Sequence, residues 1–89
     1  MLDGIKTGKV AKIFGVASKT IVAWVDRFPE LFSPEANAEN SKYRSFMSND
    51  MFLLNTIQKE RANGTSWDVI GLKLEADELN TDMPVESAN

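Results

Sequence analysis

A mainly α fold of four helices with a small two-stranded β element is predicted from three observations. Apolar residues recur at helical spacing in four separate stretches, around residues 10–14, 21–28, 51–57 and 67–74. Gly15 and the pair Asn63-Gly64 interrupt these stretches where a helix would have to stop. Tyr43-Arg44-Ser45-Phe46-Met47 alternates as a short strand does, next to a loop rich in Ser, Pro, Glu, Asn and Ala between Phe32 and Asn40. Eighty-nine residues hold one small domain, with no room for an enzyme core plus a separate substrate domain.

Met1 to Lys6 reads as a short lead-in. Thr7 is expected to cap the first helix, with Val10, Ile13 and Phe14 on its buried face. Gly15 ends it, because glycine adopts positive φ freely, and Val16 then plugs the corner. Ser18 is a candidate cap for the second helix, whose apolar stripe is Ile21, Trp24, Val25 and Phe28, and Pro29 limits its length. The strand at 43–47 is expected to pair with Glu30 to Ser33 as a hairpin. Ser48 would cap a third helix buried through Met51, Leu54 and Ile57. Thr65 and Asp68 form a capping-box pattern for a fourth, with Trp67, Ile70 and Leu74 inward. Residues 1–79 are thus expected to form the domain, and 80–89 an acidic, disordered tail.

Composition removes several classes of function. There is no cysteine and no histidine, so disulfides, thiolate or imidazole metal sites and the usual general base are all excluded. Asp77, Glu78 and Asp82 lack the glycine and ligand order of a calcium loop. No nucleophile-base pair or phosphate-binding glycine loop is present, so no enzyme, cofactor or metal is expected. No run nears the roughly 18 apolar residues of a membrane span, and the N-terminus lacks a signal pattern, which makes a cytoplasmic protein the expectation. The net charge of −3 is unevenly spread: residues 1–27 carry five basic against two acidic side chains, whereas residues 66–89 carry one against six. The first third is therefore basic, and local field matters more to a phosphate backbone than the sum.

Four segments, in order, carry a family resemblance: "GVASKTIVAW" from Gly15 to Trp24, Tyr43-Arg44-Ser45-Phe46, "SNDM" from Ser48, and "NGTSWDVI" from Asn63. Together they resemble the DNA-binding domain of the MerR family over roughly residues 6–75. The resemblance implies a winged helix-turn-helix, with the second helix in the major groove of double-stranded DNA and a β wing on the backbone. Departures are plain. Val22 and Ala23 stand where the family frequently has arginine, the metal-sensing cysteines are absent, and the acidic tail replaces a long dimerising helix. The resemblance therefore does not imply an effector-sensing regulator; it is compatible with the subset of MerR-like proteins that serve chromosome or plasmid anchoring, nucleoid packaging or phage excision.

The expected DNA contacts are Lys9, Ser18, Lys19, Thr20, Val22, Ala23, Arg27, Lys42, Tyr43 and Arg44. Lys19 aims most clearly outward, to a phosphate or a guanine edge. Ser18 is a helix cap or a DNA contact, and Thr20 either contacts DNA or packs against the first helix. Val22 and Ala23 donate no hydrogen bond but can lie against thymine methyls; their alternative is a subunit contact. Arg27 is a phosphate contact or a solvated charge. The resemblance gives Tyr43 and Arg44, with Lys42 beside them, a backbone-clamping role in the wing; the alternative is that Tyr43 packs under the wing and Arg44 pairs with Glu39 or Glu30. Trp24 and Trp67 are expected in the core. Phe52 and Leu53, beside the inward face of the third helix, are expected either to mediate self-association or partner binding, or to close the core. The function expected is duplex-DNA binding in transcription regulation or DNA segregation and architecture; the alternative is a winged-helix protein-interaction module without DNA affinity.

Overall fold

The computed structural model describes residues 4–37 and 44–82. In chain order it comprises strand β1 (Ile5–Lys6), helix α1 (Thr7–Phe14), helix α2 (Ser18–Arg27), 3-10 turns at Pro29–Leu31 and Glu35–Asn37, strand β2 (Ser45–Phe46), helix α3 (Ser48–Ala62) and helix α4 (Trp67–Glu75). Among the described residues the fold is mainly helical with one two-stranded antiparallel sheet.

The sheet is not the expected hairpin. β2 pairs with β1, Ile5 opposite Phe46 and Lys6 opposite Ser45. The segment expected to be its partner, Glu30 to Ser33, is turned instead, for three reasons. Pro29 fixes φ and starts a 3-10 turn. Asn37 Nδ2 donates to the carbonyls of Pro29 (2.9 Å) and Ser33 (3.1 Å), which closes the bend. The Ser33 N–H, which a ladder would need, donates to Asp50 Oδ1 at 2.9 Å. At the other end Gly4 permits the N-terminal pairing: a Cβ there would lie 2.6 Å from Ser45 Cβ.

Several expected caps sit one residue away. Thr7, Ser18 and Ser48 are the first residues of their helices, following Lys6, Ala17 and Met47. At α3 the Met47 N–H is bound by Asp50 Oδ2 at 2.9 Å. At α4 the cap is Ser66, whose hydroxyl accepts from the Val69 N–H, while Thr65 donates to Glu60 Oε1 at 2.7 Å. That bond, with the Lys73 ammonium 3.4 Å from Oε2, holds the Glu60 carboxyl below the usual carboxylate range.

The core runs through Val10, Phe14, Ile21, Val25, Leu54, Ile57 and Ile70, closed by Phe32 and Phe46. α3 is its central member, packing on α1, α2, α4 and β2. It is buried almost continuously from Asp50 to Ile57. This corrects the assignment of Leu53 to an interaction surface: Leu53 is 3% exposed and Phe52 half-buried. A one-face count suits a helix at the surface, not one enclosed on two sides.

Past α4 the chain turns back onto α3. Asp77 N–H reaches Leu74 O and Glu78 N–H reaches Lys73 O, a Schellman turn with Asp77 at φ 61°. Asn55 Nδ2 then donates to Asn80 O (2.8 Å) and Asp82 O (3.2 Å), and Asn80 N–H to Thr56 Oγ1 (2.7 Å). Asn80 and Asp82, expected in the tail, are thus bound to α3; 83–89 lie outside the described residues. Asp77 combines a left-handed conformation with a negative charge at a helix C-terminus, both unfavourable. Asp77→Gly is expected to stabilise the domain by up to about 1 kcal/mol, read as a higher thermal midpoint; a lower one would mean that the carboxylate has a stabilising role.

Candidate nucleic-acid interface

The α1–α2 corner is set by Gly15, at φ 69° and ψ 34°. Its N–H donates to Lys12 O and the Val16 N–H to Ala11 O, so the last carbonyls of α1 are satisfied within the turn. No atom lies within 4 Å of where a Cβ would stand, so conformation rather than space calls for glycine here. From α3, Gln58 Nε2 donates to Phe14 O at 2.7 Å and holds the corner against the core.

α2 buries Ile21 and Val25 completely, with Trp24 and Phe28 half-buried beside them. Opposite that stripe, Lys19, Ala23 and Asp26 form one exposed row at i, i+4 and i+7. Val22 is half-buried on one flank and Arg27 exposed on the other; Thr20 is half-buried on the side of Arg27. Ser18 is exposed and makes no side-chain capping bond, so the first N–H groups of α2 have no side-chain acceptor. Lys9, exposed on α1, lies outside α2 altogether.

The flank beyond Arg27 was not anticipated. Its guanidinium stacks 4.3 Å from the Trp67 ring centroid, and Arg61, from the end of α3, lies 4.8 Å from the same ring. Phe28 packs on Trp67 at 6.0 Å between centroids, and Arg61 Nη1 donates to Thr65 O at 3.2 Å. Trp67 is therefore a half-buried platform carrying two cations rather than an ordinary core side chain. Arg61 had no sequence signal beyond being basic in the last turn of a helix; only the meeting of the end of α2 with Trp67, the first residue of α4, brings it beside Arg27.

The wing side differs from expectation. Arg44 is 7% exposed; Nη1 donates to Ala36 O at 2.7 Å and Nη2 stands 3.9 Å from Asp26 Oδ1. A guanidinium so placed ties the base of the wing to α2 and does not offer a phosphate its fork, which corrects the clamping role. Its acidic neighbour is Asp26, not Glu30. Lys42 and Tyr43 lie outside the described residues, as does Glu39.

Among the described residues no helix is long and apolar enough to cross a membrane, and no group of three acidic side chains is placed to hold a metal ion. A family model described as MerR HTH family regulatory protein matches residues 5–77. The comparisons with curated proteins and with solved structures gave no match.

Proposed function

This chain belongs to the MerR HTH regulatory family, and from that membership we propose that it binds duplex DNA with α2 in the major groove. The observation that carries the reading is the outward row of α2, exposed and backed by two fully buried apolar residues. Lys19 at its head supplies donors for a phosphate or a guanine O6 and N7. Ala23 and half-buried Val22 carry no polar group, and against a major-groove edge they fit a thymine methyl. The first turn of α2, without a side-chain cap, offers N–H groups and a positive dipole end to a phosphate, with Ser18 and Thr20 beside it. Arg27 and Arg61 extend the basic surface past α2, and Lys9 and Lys12 add to it from α1. Lys42 and Tyr43 remain proposed wing contacts. The activity is proposed to serve transcription regulation, or DNA segregation and architecture, in the cytoplasm at the nucleoid or a plasmid.

A second reading, a protein-interaction module without DNA affinity, has its own support. Val69 (42% exposed) and Leu72 (66%) are the exposed large apolar side chains among the described residues, three apart on α4. Self-association or a protein partner is accordingly assigned to α4 rather than to Phe52 and Leu53. Titration of duplex DNA at two salt concentrations separates the readings. A DNA binder weakens steeply with salt as phosphate contacts give up counterions; no binding at low salt would leave the interaction module standing. Lys19→Ala is expected to weaken binding, and if Lys19 meets a base, to flatten preference at one position of the site by about 1–3 kcal/mol. Equal loss on every sequence would move Lys19 to the backbone.

A further inference from the structure

Asp26 is the one member of the outward row of α2 that a simple basic interface leaves unexplained. It stands three residues beyond Ala23, and its side chain is 63% exposed. A carboxylate on a groove-facing row is repelled by the phosphates on either side, so its presence needs a compensating partner. The Arg44 guanidinium is not a full one. Nη2 lies 3.9 Å from Oδ1, well beyond the roughly 2.7–2.9 Å of a charge-assisted hydrogen bond. Among the described residues neither carboxylate oxygen accepts a hydrogen bond. Arg44 is itself buried and anchored through Nη1 to Ala36 O, so its charge stands on the protein side of Asp26. There it offsets part of the repulsion from the phosphates, and among the described residues no donor occupies the remaining lone pairs of Asp26.

We propose that Asp26 is a specificity-determining residue that accepts a hydrogen bond from the N4 amino group of a cytosine in the major groove. This rests on the duplex-DNA reading above and adds to it a base and a residue. A carboxylate has acceptors only. Guanine turns two acceptors to the groove, and thymine an acceptor and a methyl. Adenine presents an amino group flanked by the N7 acceptor, which opposes a carboxylate and suits an amide. Cytosine alone presents an amino group with no acceptor beside it on the same base. Three residues of α-helix advance about 4.5 Å, near the 3.4 Å step between bases of one strand. The cytosine therefore neighbours the thymine covered by Val22 and Ala23.

The test begins with selection by the wild-type protein from a random duplex pool. Wild type and Asp26→Asn are then titrated, at one fixed salt concentration, against four duplexes differing at the selected base pair. Wild type is expected to favour cytosine by about tenfold or more. Asp26→Asn should lose that preference and shift toward adenine, which asparagine engages through N6 and N7. As a measurement on the unaltered protein, replacing that cytosine by pyrimidin-2-one, which lacks the amino group, should weaken binding by a similar factor. Equal tightening of Asp26→Asn on all four duplexes would overturn the proposal, leaving Asp26 as a repelled charge paired with Arg44. A retained cytosine preference in the variant, or indifference of wild type to pyrimidin-2-one, would overturn it too. Failure of wild type to bind any duplex at low salt would instead remove the DNA reading on which it rests.

Discussion

Asp50→Ala is expected to cost about 3–5 kcal/mol of unfolding free energy. Asp50 is 1% exposed and accepts three hydrogen bonds, from Ser33 N–H (2.9 Å), Ser33 Oγ (2.6 Å) and Met47 N–H (2.9 Å). Alanine would strand three donors, two of them backbone, each worth about 1–3 kcal/mol when left unsatisfied. Water entering the vacated space recovers part of this, so the loss is less than the sum. It would still consume much of the roughly 5–15 kcal/mol that holds a small domain folded. The damage is also local in its meaning. Asp50 is where the segment after α2 meets the start of α3, so the turns that replaced the expected hairpin depend on it. Asp50→Asn keeps one acceptor oxygen and is expected to lose less. Urea unfolding of both variants checks the order; a loss below 1 kcal/mol for alanine would show that the carboxylate is not the anchor.

Replacing both Arg27 and Arg61 with glutamine is expected to lower the salt slope of DNA binding by about two, since each phosphate contact contributes roughly 0.9. Affinity at low salt should fall by about one to two decades with it. Glutamine keeps much of each stem over Trp67, so the fold loses only the cation–π attraction, about 0.5–1 kcal/mol per exposed pair. Fluorescence of Trp67, read in a Trp24→Phe background because the chain has two tryptophans, offers an internal check that the platform persists. Binding measured by anisotropy across a salt series decides the matter. An unchanged slope would mean that the two guanidiniums serve Trp67 alone and that this flank faces away from DNA.

The helices were legible because their signals are local. Val10, Ile13 and Phe14 before Gly15, and Ile21 and Val25 after it, state two amphipathic helices and the corner between them without any distant contact. What was illegible depends on sequence-remote partners. Ile5-Lys6 is too short to announce a strand, and its pairing with Ser45-Phe46 follows from the path of the intervening chain. Arg44 reads as a surface cation until Ala36 O and Asp26 are known to surround it. Leu53 reads as surplus on α3 because nothing in its neighbourhood says that the helix is enclosed on two sides. Asp26 reads only as one of the two acidic side chains of a basic segment until the helix places it in one exposed row with Lys19 and Ala23.

The pairing of β1 with β2 also sets an order of events in time. The two strands lie some forty residues apart, with α1 and α2 between them. Closing so long a loop costs about 1 kcal/mol more chain entropy than closing a turn of a dozen residues. Contacts that near neighbours make, such as those of α1 with α2 across Gly15, are reached sooner by a searching chain. The helical corner is thus available as a nucleus while the N-terminus is still unattached, and the two-residue sheet is added late. The N-terminal strand is therefore expected to dock on Ser45-Phe46 only after α3 has closed the core behind α2.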